Sequence, residues 1–67
     1  MRKQYEEQLA NLHGELIAMG QMCEEAINYA VRSLTQNDRA LTAHVFEVDA
    51  GIDKKEREIE TLCLKLL

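Results

Sequence analysis

The stretch Asp38–Leu67, DRALTAHVFEVDAGIDKKEREIETLCLKLL, decides the fold. Its apolar residues recur at steps of three and four, interrupted by Lys55; they are Leu41, Val45, Val48, Ile52, Ile59, Leu62 and Leu66. Because each residue turns an α-helix by about 100°, this spacing places them in one stripe along one helix. A second row follows the same rhythm roughly a quarter-turn away and consists of Asp49, Asp53, Glu56 and Glu60. The apolar stripe predicts a packed face, and the acidic row is the candidate for chemistry.

The first half of the chain carries a similar apolar pattern. From Leu9 onward its members are Leu9, Leu12, Leu16, Met19, Cys23, Ala26 or Ile27, Ala30 and Leu34. This spacing persists for about four heptads and predicts another amphipathic helix. Gly20, flanked by Met19 and Met22, is interpreted as a point where a neighbouring element approaches closely.

A polar break, Thr35-Gln36-Asn37-Asp38, separates the two patterns. Asn37 suits a left-handed helix end and Asp38 suits an N-terminal cap, so the two helices meet through a very short connection. We therefore predict an all-α, antiparallel helical hairpin that forms a single domain over residues 1–67. Its helices are expected over about 3–35 and about 39–66, with a turn at about 36–38.

Composition limits the classes of function. The formal net charge is −4 and only three residues are aromatic, which argues against a nucleic-acid binder. No apolar run approaches the ~20 residues of a membrane span and no secretion leader is visible, so we expect a cytoplasmic protein without membrane insertion. No nucleophile–base pair or Gly-rich phosphate loop indicates an enzyme. The two cysteines, Cys23 and Cys63, are expected ~18 Å apart along the hairpin, as buried free thiols in a reducing compartment.

The apolar pattern is broader than two helices need for packing against each other. Ile17 and Val31 widen the face of the first helix on one side and Met22 widens it on the other. Phe46 and Leu64 project from the second helix beyond the acidic row. Leaving such side chains in water forgoes about 25 cal/mol per Å² of burial. These five residues are therefore predicted to bind a partner, either further helices of a longer chain or another copy.

The chain also stops in mid-pattern at Leu64-Lys65-Leu66-Leu67, without a capping Gly or Asn. We interpret this as the end of a fragment. As such a fragment, the hairpin is expected to form a homo-oligomer, a four-helix-bundle dimer.

The acidic row has two interpretations. Carboxylates four residues apart on a helix point the same way and can share a cation, which makes Asp49, Asp53, Glu56 and Glu60 candidate metal ligands. Acids beside an apolar stripe are also the ordinary solvated flank of a helical bundle. No cofactor is required by either interpretation.

Taken together, the residues resemble the beginning of the PhoU family. The resemblance rests on Leu16-Ile17-Ala18-Met19-Gly20, Ala26-Ile27, Ala30-Val31, Asp38, Leu41, Val45-Phe46-Glu47-Val48-Asp49-Ala50-Gly51-Ile52-Asp53, Glu56, Ile59-Glu60 and Cys63-Leu64-Lys65-Leu66-Leu67. It implies a cytoplasmic all-α protein in which this hairpin is part of a three-helix bundle. It also implies action with the phosphate ABC transporter ATPase and the phosphate sensor kinase, to restrain phosphate uptake and the phosphate-starvation response.

The same resemblance implies a metal motif, in which Glu or Asp, three residues and Asp bind iron, zinc or other divalent ions. Asp49-Ala50-Gly51-Ile52-Asp53 matches it, whereas the run from Glu56 to Glu60 ends in Glu instead of Asp. The family's third helix, with a further such motif, has no counterpart in these residues.

Three hypotheses follow. The first is a PhoU-type regulatory module that acts through protein contacts. The alternatives are a structural antiparallel coiled-coil dimerisation element and a carboxylate-rich, metal-binding helical bundle.

Overall fold

The computed structural model describes residues 2–67, which form two helices, α1 (Arg2–Gln36) and α2 (Arg39–Leu66). No strand occurs within this range. The helices pack antiparallel, so that Glu15 lies opposite Lys55 and Ser33 lies opposite Thr42. The molecule measures 53 × 15 × 12 Å. The predicted all-α helical hairpin is confirmed.

The turn uses the two residues that the sequence indicated. Asn37 has φ 51°, in the left-handed region, and ends α1. Asp38 is extended, and its carboxylate accepts a hydrogen bond of 2.9 Å from the backbone N–H of Ala40. The Asp38 carbonyl accepts from the Thr42 backbone N–H at 3.2 Å, which starts the α2 ladder. The predicted roles of Asn37 at the end of α1 and of Asp38 at the start of α2 are confirmed. They could be predicted because capping depends on residues that are adjacent in sequence.

α2 meets α1 through the predicted stripe. Its seven apolar members are buried or half-buried, and Ile59 is the only buried residue of the described chain, at 8% exposure. Lys55 occupies the gap in the stripe and is itself half-buried. A hairpin of two helices thus supplies a packed line rather than an enclosed core.

α1 faces α2 with smaller side chains than predicted. Of the two alternatives at this point of the pattern, Ala26 is half-buried in the interface and Ile27 is 63% exposed. The other half-buried members of the predicted stripe are Leu12, Met19, Cys23 and Ala30, whereas Leu9, Leu16 and Leu34 are exposed. The predicted packed stripe on α1 was therefore wrong at Leu9, Leu16 and Leu34, because these residues lie roughly a quarter-turn from the line that touches α2.

The close approach between helices occurs at a different glycine from the one predicted. A Cβ built at Gly20 would meet nothing within 4 Å, so the interpretation of Gly20 was wrong. A Cβ at Gly51 would lie 3.0 Å from the Met22 Cε atom. Met22 consequently lies in the α1–α2 interface, half-buried, instead of on the flank.

The cysteines are both free. Cys23 is half-buried, but Cys63 is exposed, so the expectation of two buried thiols was wrong for Cys63. Cys63 follows the half-buried Leu62 in sequence, and one further residue turns the side chain about 100° out of the interface.

Candidate functional site

The residues predicted to bind a partner are mostly exposed. Ile17 and Val31 on α1 are about half exposed, and Phe46 and Leu64 on α2 are 69% and 70% exposed. Met22 is the exception, since it lies against Gly51. Their partner-binding role itself stays a prediction.

Near the turn the two helices form a shallow apolar groove. Its volume is about 230 Å³, and it is lined by Ala30, Ser33, Leu34, Thr42, Val45 and Phe46. Leu34 and Phe46, 84% and 69% exposed, therefore share one side of the hairpin. Such large apolar side chains gathered on one side are typical of an interaction surface.

Sequence reasoning missed Leu34 as a surface residue because it assigned that residue to the interface. Leu34 belongs to a row with Leu9, Leu16 and Ile27, all exposed, which we call the outer face of α1. The available signal was the pair Ala26 and Ala30, since small residues on one line favour close helix contact and leave the larger neighbours outside.

The acidic row lies on the surface of α2, between the interface and the positions of Phe46 and Leu64. Asp49, Asp53, Glu56 and Glu60 are all exposed, and within residues 2–67 none of them takes part in an ion pair. In that same part of the chain no three His, Cys, Asp or Glu side chains are placed to hold a metal ion. Metal binding by the acidic row stays the alternative interpretation.

An ion pair crosses the middle of the interface. The Lys55 Nζ atom donates to Glu15 Oε2 at 2.7 Å and lies 3.4 Å from Glu58 Oε2. The Lys55 and Glu15 side chains are only 23% and 29% exposed. The hydrogen bond to Glu15 raises the pKa of Lys55 above 10.5, with Glu58 adding in the same direction and partial burial opposing both.

Near the turn, a polar cluster surrounds His44. Its Nε2 and Nδ1 atoms lie 3.8 Å from a Glu25 oxygen and 3.4 Å from a Glu47 oxygen. The ring meets Tyr29 edge-on, with centroids 4.3 Å apart, and the Arg32 guanidinium lies 5.4 Å from the Tyr29 ring centre. The cluster thus joins the two helices near the turn through contacts of the His44 ring with Glu25 and Tyr29 of α1.

The arrangement is suited to contact with another macromolecule. Within residues 2–67 it offers an open apolar groove and exposed helix faces. Neither α1 nor α2 has an apolar stretch long enough to cross a membrane.

Comparisons with known proteins agree with one another. The family model of the PhoU domain matches residues 16–67. The chain is 35% identical over 65 residues to a protein of Pseudomonas putida, covering 97% of this chain and 25% of that protein. It is 34% identical over 65 residues to one of Pseudomonas aeruginosa, covering 97% of this chain and 27% of that protein. It is 33% identical over 66 residues to one of Clostridium acetobutylicum, covering 98% of this chain and 30% of that protein.

All three relatives are named phosphate-specific transport system accessory protein PhoU homolog. The chain spans between a quarter and a third of their length. No solved structure matches it. Because the family model covers most of these residues and the hairpin has the all-α form that the resemblance implied, the chain belongs to the PhoU family.

Proposed function

We propose that the chain is a regulatory, protein-binding module of the PhoU type, which acts in the cytoplasm on phosphate uptake and phosphate-starvation signalling. Its proposed partners are the phosphate ABC transporter ATPase and the phosphate sensor kinase. Family membership and the names of the relatives support the connection with phosphate transport. The exposed apolar surface supports action by protein contact.

One observation carries the proposal, namely the excess of exposed surface. The hairpin exposes 5365 Å². A compact protein of 7.7 kDa is expected to expose only about 4,300 Å². The difference, about 1,000 Å², exceeds the ~800 Å² that each partner buries in a protein–protein interface of standard size. The hairpin therefore has enough uncovered surface for one such interface.

The same surface supports the proposed assembly states. A third helix laid along the groove beside Leu34 and Phe46 would complete the three-helix bundle that the family resemblance implies. Where no such helix is available, two hairpins can cover each other as a four-helix bundle. In both arrangements the favourable free energy comes from burying apolar side chains that are exposed to solvent in the hairpin.

The test is the binding of this chain to the immobilised transporter ATPase and to the cytoplasmic part of the sensor kinase, measured by interferometry. Replacing Leu34 and Phe46 with Gln should weaken binding tenfold or more, since truncating a central apolar contact costs more than about 1.4 kcal/mol. Gln21→Ala is the matched control, because Gln21 is exposed and forms no ion pair or side-chain hydrogen bond in residues 2–67. Equal affinity of the groove variant and the control would contradict the proposal.

The structural alternative gives a different result in the same experiment. A dimerisation element would bind neither the ATPase nor the kinase, yet the Leu34 and Phe46 variant would still dissociate its dimer. Loss of self-association without any partner binding by the unmodified chain would favour that alternative.

A further inference from the structure

α1 has two apolar faces that compete for α2. The face in use contains Leu12, Met19, Ala26 and Ala30, all half-buried. The outer face, with Leu9, Leu16, Ile27 and Leu34, lies about a quarter-turn away and carries larger side chains. Since burial of apolar area is the main driving force of helix packing, area alone does not explain why the face with two alanines is the one that packs.

The charged residues of the interface distinguish the two faces. Among the half-buried positions of α1, Glu15 is the only charged residue. Among the buried and half-buried positions of α2, Lys55 is the only charged residue apart from the imidazole of His44. The single acid and the single lysine lie opposite each other, with Nζ 2.7 Å from Oε2.

This pair is possible in only one rotational setting of α1. A quarter-turn of α1 that brought Leu16 and Ile27 against α2 would carry Glu15 out of the interface. Lys55 would then face apolar side chains with only Glu58 of its own helix nearby. Desolvation opposes the charge of Lys55 even in the observed setting. An ammonium at this position without its cross-helix partner is therefore disfavoured, whereas the pair itself adds little to stability over an apolar pair of similar size.

We propose that the Lys55–Glu15 pair selects which face of α1 packs against α2, and so keeps the outer face of α1 exposed. Its role is to set the rotation of α1, and it adds little stability over an apolar pair of similar size. A polar group at an interface position fixes helix register in coiled coils by the same penalty on wrong arrangements. Lys55 and Glu15 are thus positioning residues of the hairpin.

The test uses the 67-residue chain alone, so its failure would leave the proposed function standing. In the observed setting the Met22 ε-methyl group lies against Gly51, which predicts a nuclear Overhauser effect between them. The double variant Glu15→Leu and Lys55→Leu should remain helical with an unchanged or higher melting temperature. Because both faces of α1 then fit α2, the Met22–Gly51 signal should fall by about half or more and a second Met22 methyl resonance should appear.

Two further variants complete the experiment. The charge-swapped variant Glu15→Lys and Lys55→Glu should restore a single Met22 resonance at full intensity. Lys54→Leu, at the exposed neighbouring position, should behave as the unmodified chain does. A single unchanged signal in the double-leucine variant would overturn the inference, as would its loss of helix, or failure of the charge swap to restore the signal.

Discussion

The three glycines provide a sharp test of the packing of α1 against α2. Each lies inside a helix, where replacing Gly with Ala usually gains about 1 kcal/mol by restricting the unfolded chain. A Cβ at Gly14 or Gly20 would meet nothing within 4 Å. Gly14→Ala and Gly20→Ala should therefore each stabilise the chain by about that amount, a rise of roughly 4–8 °C in melting temperature for a domain of this size.

Gly51→Ala should behave differently. The new Cβ would lie 3.0 Å from Met22 Cε, whereas carbon atoms in good contact are about 3.5–4.0 Å apart. The Met22 methyl must therefore move by roughly 0.5–1 Å, and crowding of this kind costs about 1–3 kcal/mol. Because a methionine side chain is flexible, we expect a cost near the lower limit. The gain in helix propensity is then cancelled, and the net change in stability is about zero.

The assay is thermal unfolding followed by circular dichroism at several protein concentrations, so that self-association is recognised as a shift in melting temperature. A double-mutant cycle isolates the contact: in a Met22→Ala background, Gly51→Ala should recover its full gain of about 1 kcal/mol. Gly20→Ala is the matched control. If Gly51→Ala stabilises the unmodified chain as much as Gly20→Ala does, the close approach at Gly51 is refuted.

Four other predictions follow from the same contacts. The chain should sediment as a dimer at micromolar concentration. A stable monomer in sedimentation equilibrium would contradict the inference that the exposed apolar side chains of the hairpin must be covered by another helix or another copy. Because the pKa of Lys55 is raised in the folded chain, the charged lysine should stabilise the fold relative to the neutral lysine, fully below pH 10.5 and less as the pH rises above that value. Comparison of alkaline unfolding with that of Lys55→Met, which lacks this dependence, measures the difference. Asp38→Ala should cost about 1 kcal/mol in urea unfolding, since it removes the cap of α2, whereas an unchanged midpoint would show that the cap is dispensable. Manganese or zinc should produce no binding heat in calorimetry, but heat that disappears with Asp49→Asn and Asp53→Asn would favour the metal-binding alternative.

Much of the fold was accessible from sequence because it depends on neighbouring residues. Helical spacing predicted the stripe of α2, and the propensities of Asn37 and Asp38 predicted the turn. The exposure of Phe46 and Leu64 also followed from spacing, since neither can share a face with the α2 stripe. The resemblance to PhoU proteins came from the order of these local patterns and was confirmed by the comparisons.

Only the tertiary structure decided how α1 is rotated about its axis. Its apolar residues cover too wide an arc for one face, so the sequence alone left Ala26 and Ile27 as alternatives and misplaced Leu34. The choice depends on residues far apart in the chain: the contact of Lys55 with Glu15 and the room that Gly51 leaves for Met22. Periodicity describes one helix at a time, whereas the setting of one helix against another is fixed by pairs of side chains that meet only after the chain has folded.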